Sequence, residues 1–206
     1  MHSTSWLILL AVALYGILHS LLASLWLKNQ AQAWFGESVK RWYRLVYNFI
    51  GFLSFLPVLA LVAWLPDSQY YAILPPWLYL SLAGQVLALL GLVAAARQTG
   101  AWSFLGLKQL FAQSSTDSQQ LEVSGLYHYV RHPIYSAGII FIWLTPVMTA
   151  NILLLNIGLT AYFVIGAWFE ERKLLREFGD AYAEYRKRTP MLIPALRRHT
   201  SGVGKA

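Results

Sequence analysis

The chain has 206 residues, 57% of them hydrophobic and only 12% charged, whereas a soluble domain carries about 25% charged residues, so a water-soluble globular protein is excluded. Its net charge of +7 would suit a nucleic acid, but the positive residues sit in connections between apolar runs, where membrane orientation places them, and no nucleic-acid partner is expected. Zero cysteines exclude disulfides, thiolate metal sites and a cysteine nucleophile.

In chain order, a first apolar run at residues 6–27 is long enough to cross a bilayer, for which about 20 residues suffice. It is too long for a secretory h-region, and residues 1–5 lack Lys and Arg, so it reads as a retained membrane helix rather than a signal cleaved after Ala31-Gln32-Ala33. His19 lies within it, four residues after Tyr15. A polar connection with Lys28, Glu37, Lys40, Arg41 and Arg44 leads to a second run at 45–65, where Pro57 removes a backbone donor and predicts a kink. The third run, 77–96, follows Pro75-Pro76 and stops at Arg97. The stretch 98–131 is mixed: Trp102 to Gly106 reads as interfacial, and 113–120 as an exposed loop. Runs four (134–148) and five (152–169) are joined only by Thr149-Ala150-Asn151. The fourth run is short, roughly 22 Å of helix.

In the tail, Leu174, Phe178, Tyr182 and Tyr185 form one apolar-aromatic stripe opposite Arg172, Arg176, Asp180, Glu184 and Lys187. Such a basic amphipathic helix lies in the interface or folds back as a lid, with Gly179 as a hinge and Thr189-Pro190 as its stop. Residues 199–206 read as disordered. Charge sets the orientation. The connection 28–44 carries four Lys/Arg, the connection 97–133 three and the tail from Arg172 nine, while 66–76 and 149–151 carry none. By the positive-inside rule the N-terminus faces out and the tail faces the cytoplasm. The expectation is one all-α integral membrane domain, 1–206, of about five transmembrane helices. Three fall in 1–97, and a C-terminal hairpin with its tail helix occupies 125–194. Nine Trp and twelve Tyr suit aromatic belts at the two interfaces.

Soluble-enzyme signatures are missing: no G-x-G-x-x-G follows a strand, no histidine spacing suggests zinc, and no metal is expected. The chemistry concentrates elsewhere. The run Tyr127-His128-Tyr129-Val130-Arg131-His132-Pro133-Ile134-Tyr135 packs aromatic and titratable residues at a helix start. Pro133 presets that start, and the helix N-terminus offers amide donors to an anion. Taken alone, His132 reads equally as a residue that satisfies backbone groups there. Glu170 and Glu171 end the fifth run. They either pair with Lys173 or Arg176 on a solvated face, or one of them faces inward to accept hydrogen bonds from an ammonium or a ribose. If runs four and five form a hairpin, these carboxylates return beside Arg131-His132-Pro133, where charged groups are costly unless paired or used. His19 reads as an interhelical hydrogen bond, worth about 0.6 kcal/mol in membranes, or as a substrate-side polar group. Arg97 reads as a snorkelling helix-end residue or as a holder of a carboxylate.

The pattern G-x-Y-x-x-x-R-H-P-x-Y, a hydrophobic hairpin, then E-E-x-x-L-x-x-x-F-G-x-x-Y-x-x-Y and a proline resembles the isoprenylcysteine carboxyl methyltransferase and phospholipid methyltransferase superfamily. It is met by Gly125, Tyr127, Arg131, His132, Pro133, Tyr135, Glu170, Glu171, Leu174, Phe178, Gly179, Tyr182, Tyr185 and Pro190, over about seventy residues. The N-terminal part, with Tyr15-Gly16, His19-Ser20 and the run from Arg41 to Asn48, resembles the bacterial membrane thiol methyltransferase branch.

The resemblance implies a methyltransferase that uses S-adenosylmethionine, bound on the cytoplasmic side by the hairpin and tail. Tyr127, His132, Pro133 and Tyr135 would line the cofactor pocket, Glu170 and Glu171 would anchor its polar end, and Tyr182 and Tyr185 would close the lid. Arg131 is the candidate catalytic residue, orienting an anionic acceptor; His19 and Arg97 are the candidate substrate residues. The acceptor would be a lipophilic or small molecule entering from the bilayer lipids: a thiol, an isoprenylcysteine carboxylate or a phospholipid amine. The setting would be a bacterial inner membrane. Two competing readings are a non-enzymatic accessory protein of nitrogen-oxide metabolism, and a membrane reductase using NADPH, whose relatives are longer.

Overall fold

The computed structural model describes residues 4–99 and 121–194. The expected interfacial segment at Trp102 to Gly106, the loop 113–120 and the tail end 199–206 lie outside the described residues. Within them the chain is a helical bundle. Its helices are α1 (Trp6–Ala23), α2 (Leu25–Phe35), α3 (Val39–Trp64), α4 (Trp77–Gln98), α5 (Pro133–Trp143), α6 (Ala150–Phe178) and α7 (Asp180–Arg188). A 3-10 turn, Gly125–His128, precedes α5, and two short strands, β1 (Gln69–Ala72) and β2 (Val147–Thr149), pair antiparallel.

Four helical stretches are long and apolar enough to cross a membrane: Trp6–Ala23, Trp42–Trp64, Trp77–Gln98 and Ala150–Phe178. Their outer faces carry exposed Leu9, Phe49, Phe52, Leu87, Leu90 and Ile165, a surface suited to lipid rather than water. The packed interior is small, with Ile8 and Val12 of α1 meeting Val58 of α3 and Leu154 and Leu159 of α6. The chain is thus an all-α polytopic membrane protein.

Three boundaries differ from the sequence expectation, each for a local reason. The first run breaks at Ser24, whose backbone is extended. Its hydroxyl donates to the Leu21 carbonyl at 2.6 Å and accepts the Leu27 amide at 3.2 Å, so one residue ends α1 and caps α2. The polar connection is therefore helical, and α2 exposes Trp26, Trp34 and Phe35, as an interfacial helix does. Helix α3 starts earlier than predicted and runs through Pro57. The fourth run contracts to the 11 residues of α5. It can stop inside the bundle because neighbours satisfy its last carbonyls: Gln85 donates to the Phe141 carbonyl at 3.1 Å, Asn156 to that of Ile142 at 2.8 Å, and Ser81 to that of Leu144.

Beyond α5 the strand pair ties one face of the bundle together. Asp67 accepts the Asn151 amide at 3.0 Å, and the Asn151 side chain donates to the Leu65 carbonyl at 3.1 Å, joining the end of α3 to the start of α6. The chain order then sends the start of α5 and the end of α6 to the opposite face.

Candidate active site

At that opposite face the start of α5 meets the end of α6, as the hairpin expectation required. Arg131 and Glu171 form a buried ion pair, their side chains 8% and 7% exposed. Glu171 Oε1 accepts from Arg131 Nε at 2.6 Å and pairs with its terminal nitrogen as well. Glu171 Oε2 lies 3.5 Å from Arg186 Nε. The remaining terminal nitrogen of Arg131 donates to the carbonyls of Arg186, at 3.1 Å, and Thr189. Each nitrogen of this guanidinium has a partner on α6 or the tail, which makes Arg131 the tie between them.

The two adjacent glutamates differ. Glu171 is buried, but the Glu170 side chain is 46% exposed and faces His132 Nδ1 at 3.6 Å. It also shares a hydrogen bond with the Tyr135 hydroxyl. His132 is buried, stacks on Tyr135 at 5.6 Å between centroids, and points Nε2 toward Glu171 Oε1 at 3.5 Å. The corner thus holds one carboxylate committed to an internal cation and one turned partly outward beside aromatic faces.

The tail closes the corner from the other side. Gly179, at φ +52°, breaks α6 from α7 with a backbone that other residues rarely adopt. This turns Tyr182 fully inward, 5.8 Å from Tyr185 between ring centroids. The Tyr185 hydroxyl donates to the Tyr127 carbonyl at 2.5 Å. Burial pushes the Tyr127 and Tyr182 hydroxyls up to about 12, so both stay neutral phenols at physiological pH. After α7, the carbonyls of Pro190 and Met191 accept the Arg131 and His132 amides at 2.9 and 3.1 Å. These two amides before Pro133 thus serve the tail strap.

The corner brings together Tyr127, Arg131, His132, Pro133, Tyr135, Glu170, Glu171, Tyr182 and Tyr185. His19 and Arg97 stand apart. Arg97 is exposed at the end of α4, while its neighbour Gln98 accepts the Leu126 amide at 3.2 Å and so holds the 3-10 turn. His19 sits between α1, α3 and α6, with its Nε2 against the Tyr47 hydroxyl. Sequence reasoning missed Arg186, the strap from Thr189 to Leu192, and Tyr162-Phe163. Two adjacent aromatic residues, one of them polar, within an apolar run were the available signal for the last of these.

Comparison with known proteins bears on this arrangement. A family model described as phospholipid methyltransferase matches residues 80–181, from early α4 into α7. A methanethiol S-methyltransferase of Crocosphaera subtropica is 30% identical over 204 residues, covering 92% of this chain and 75% of that protein. The chain belongs to the isoprenylcysteine carboxyl methyltransferase and phospholipid methyltransferase superfamily. Methanethiol S-methyltransferase 2 of Bradyrhizobium diazoefficiens is 40% identical over 104 residues, 48% of this chain and 40% of its own length. Protein-S-isoprenylcysteine O-methyltransferase of Schizosaccharomyces pombe is 30% identical over 127 residues, 52% of this chain and 54% of its own. For the first of the curated relatives, then, the match spans less than half of their length: 40%, 31% and 25%. No solved structure matches the chain. Within the superfamily frame, the family-matched segment contains the whole Arg131-His132 and Glu170-Glu171 constellation.

Proposed function

We propose that this protein is an integral-membrane methyltransferase that takes its methyl group from S-adenosylmethionine and passes it to a lipophilic or small acceptor from the bilayer. The observation that carries this reading is the half-exposed Glu170 carboxylate held between His132 and Tyr135. The donor combines an ammonium, a sulfonium, a carboxylate and an adenine, and the residue types at the corner match it. Glu170 would receive the ammonium or the ribose hydroxyls, the partly exposed Arg186 would take the carboxylate, and the rings of His132 and Tyr135 would lie against the cationic and aromatic parts. When bound, the donor supplies an electrophilic methyl on a cationic sulfur.

The chain's own part is to bind, align and exclude water. Arg131 and Glu171 neutralise each other and fix the end of α6 against the start of α5, so Arg131 acts by holding the corner's shape. Tyr182, Tyr185 and the strap cover it from the aqueous side. A water-poor, aligned site favours a reaction in which opposite charges annihilate, and alignment removes much of the entropic barrier. The names of the bacterial relatives favour a small thiol as acceptor. The distribution of Lys and Arg supports a corner at the cytoplasmic face, and the bacterial sources of the methanethiol relatives support an inner membrane as its setting. Calorimetry with S-adenosylmethionine on purified protein, followed by labelled-methyl transfer to thiols, prenylcysteines and lipids, tests the reading. Binding of NADPH in place of S-adenosylmethionine, or of neither, would overturn it.

A further inference from the structure

Four polar rings inside the bundle are left without a task by the donor corner: Tyr15 and His19 of α1, Tyr47 of α3 and Tyr162 of α6. The Tyr47 hydroxyl and His19 Nε2 are in hydrogen-bond contact. Tyr15 stacks on the imidazole at 5.6 Å, and Tyr162 meets it edge-on at 6.2 Å. The other ring nitrogen, Nδ1, is buried without a hydrogen-bond partner. It abuts Gly51, where any Cβ would come within 2.9 Å of it. With Nδ1 sealed against a helix backbone, the ring exchanges protons only through Nε2, by way of the Tyr47 hydroxyl. An ionisable group in a spanning helix is costly, and leucine would fill the same space, so its presence points to use.

The group is also joined to the corner. Tyr162 contacts Phe163 at 5.9 Å, Phe163 stacks on Tyr135 at 5.8 Å, and Tyr135 stacks on His132 at 5.6 Å. An unbroken file of rings therefore runs from the His19–Tyr47 pair to the donor side.

We propose that Tyr47 and His19 form a proton relay that commits the site to a thiol acceptor; this rests on the methyltransferase reading above. Tyr47 is the contact: its oxygen takes the proton of the acceptor's S–H while its own hydroxyl proton passes to His19 Nε2. The S–H bond breaks and its electron pair stays on sulfur as a thiolate. One O–H bond forms at Tyr47 as the other breaks, and an N–H bond forms at Nε2. We assign the resting hydrogen of the imidazole to Nδ1, which leaves Nε2 free to accept. The imidazolium so formed stacks on the face of the Tyr15 ring, which stabilises a cation. The titratable groups around the pair are Tyr15 from α1, Tyr43 and Arg44 from α3, and Tyr162 from α6.

Acceptor chemistry makes the choice. A carboxylate arrives ionised and needs no base. An alkylammonium becomes a neutral amine when it loses its proton and gains nothing from the imidazolium left at His19, whereas a thiol becomes an anion, which that cation stabilises. Of the three acceptors, only the thiol both needs a base and leaves an anion for the imidazolium to hold.

The test uses the full chain in nanodiscs, with ethanethiol as probe and the variants Y47F and H19Q. Each variant is expected to lose at least about 100-fold of the transfer rate at neutral pH. Donor affinity by calorimetry should stay within about threefold, and the rate should return as rising pH ionises the free thiol. With nitrogen-15-labelled histidine and no donor present, ethanethiol should shift the His19 ring resonances of the unsubstituted protein. Neutral-pH rates within about threefold of the parent, loss of donor binding along with activity, or an unmoved His19 resonance would each overturn the relay. A parent protein that binds donor but methylates only carboxylates or amines would also overturn it and leave the donor site standing. A parent that binds no donor would remove the underlying reading instead.

Discussion

Replacing Glu171 with alanine leaves Arg131 charged in a site where its side chain is 8% exposed. Two carbonyls, of Arg186 and Thr189, remain as its acceptors, but no negative charge replaces the carboxylate that took its Nε at 2.6 Å. Removing one partner of a buried ion pair costs about 3–5 kcal/mol. For a chain of this length, at about 2–4 °C per kcal/mol, the expected drop in Tm is about 6–20 °C. The double replacement R131M/E171L, which strands no charge, should recover a large part of that loss, and the double-mutant cycle measures the coupling. Glu170→Gln is the control one residue away. Being half exposed, it should leave Tm nearly unchanged but weaken S-adenosylmethionine binding by one to two orders of magnitude, the worth of a hydrogen bond to a charged group of about 1.5–3 kcal/mol. Thermal unfolding and calorimetry on the same preparations separate the two. If E171A lowers Tm by less than about 3 °C, or E170Q binds donor as well as the parent does, the division of labour between the glutamates is wrong.

Two further outcomes follow from the fold. Asp67→Asn weakens the tie at the start of α6, a cap-like contact worth about 1 kcal/mol. Burial raises the Asp67 carboxyl, but hydrogen bonds from Thr149, Asn151, Ser68 and Ala150 outweigh it and hold the group below its ordinary value. Its contribution is therefore complete above the unfolded-state value, near 3.9, and is lost as pH falls through the lower folded value. The variant and parent should thus differ in Tm at neutral pH and converge in strong acid; a gap that persists there would refute the linkage. Gly179→Ala meets no atom within 4 Å, so its effect is backbone strain alone at φ +52°, about 1–3 kcal/mol. It should speed amide hydrogen exchange across residues 180–192, and unchanged exchange would show that α7 docks without this turn.

Much of the fold was written locally. Pro75-Pro76 marks the start of α4, Thr149 caps α6, and the glycine at 179 ends it, all features of short range. What the sequence withheld depends on distant partners. Helix α5 stops early because Gln85, Ser81 and Asn156 take its carbonyls, and those residues sit 14 to 63 positions away. The same holds for Glu170 and Glu171. Neighbours on a helix are about 100° apart, and only the position of Arg131 decides which of the two is buried.

That decision explains how a charged site can exist at the end of an apolar bundle. A buried carboxylate by itself would raise its own pKa and neutralise. Glu171 does not stand alone but faces Arg131, and the pair locks two helices and the tail strap into one geometry. Against this rigid frame, Glu170 keeps its charge partly in water and His132 is held in place by stacking and by the strap carbonyl on its amide. A cation approaching the corner therefore meets one partly exposed carboxylate, held in place by His132 and Tyr135, and no rearrangement is needed to expose it. Preorganisation of this kind is what a cationic donor requires. It depends on the glutamates being adjacent, so that one helix turn delivers both the anchor and the ligand.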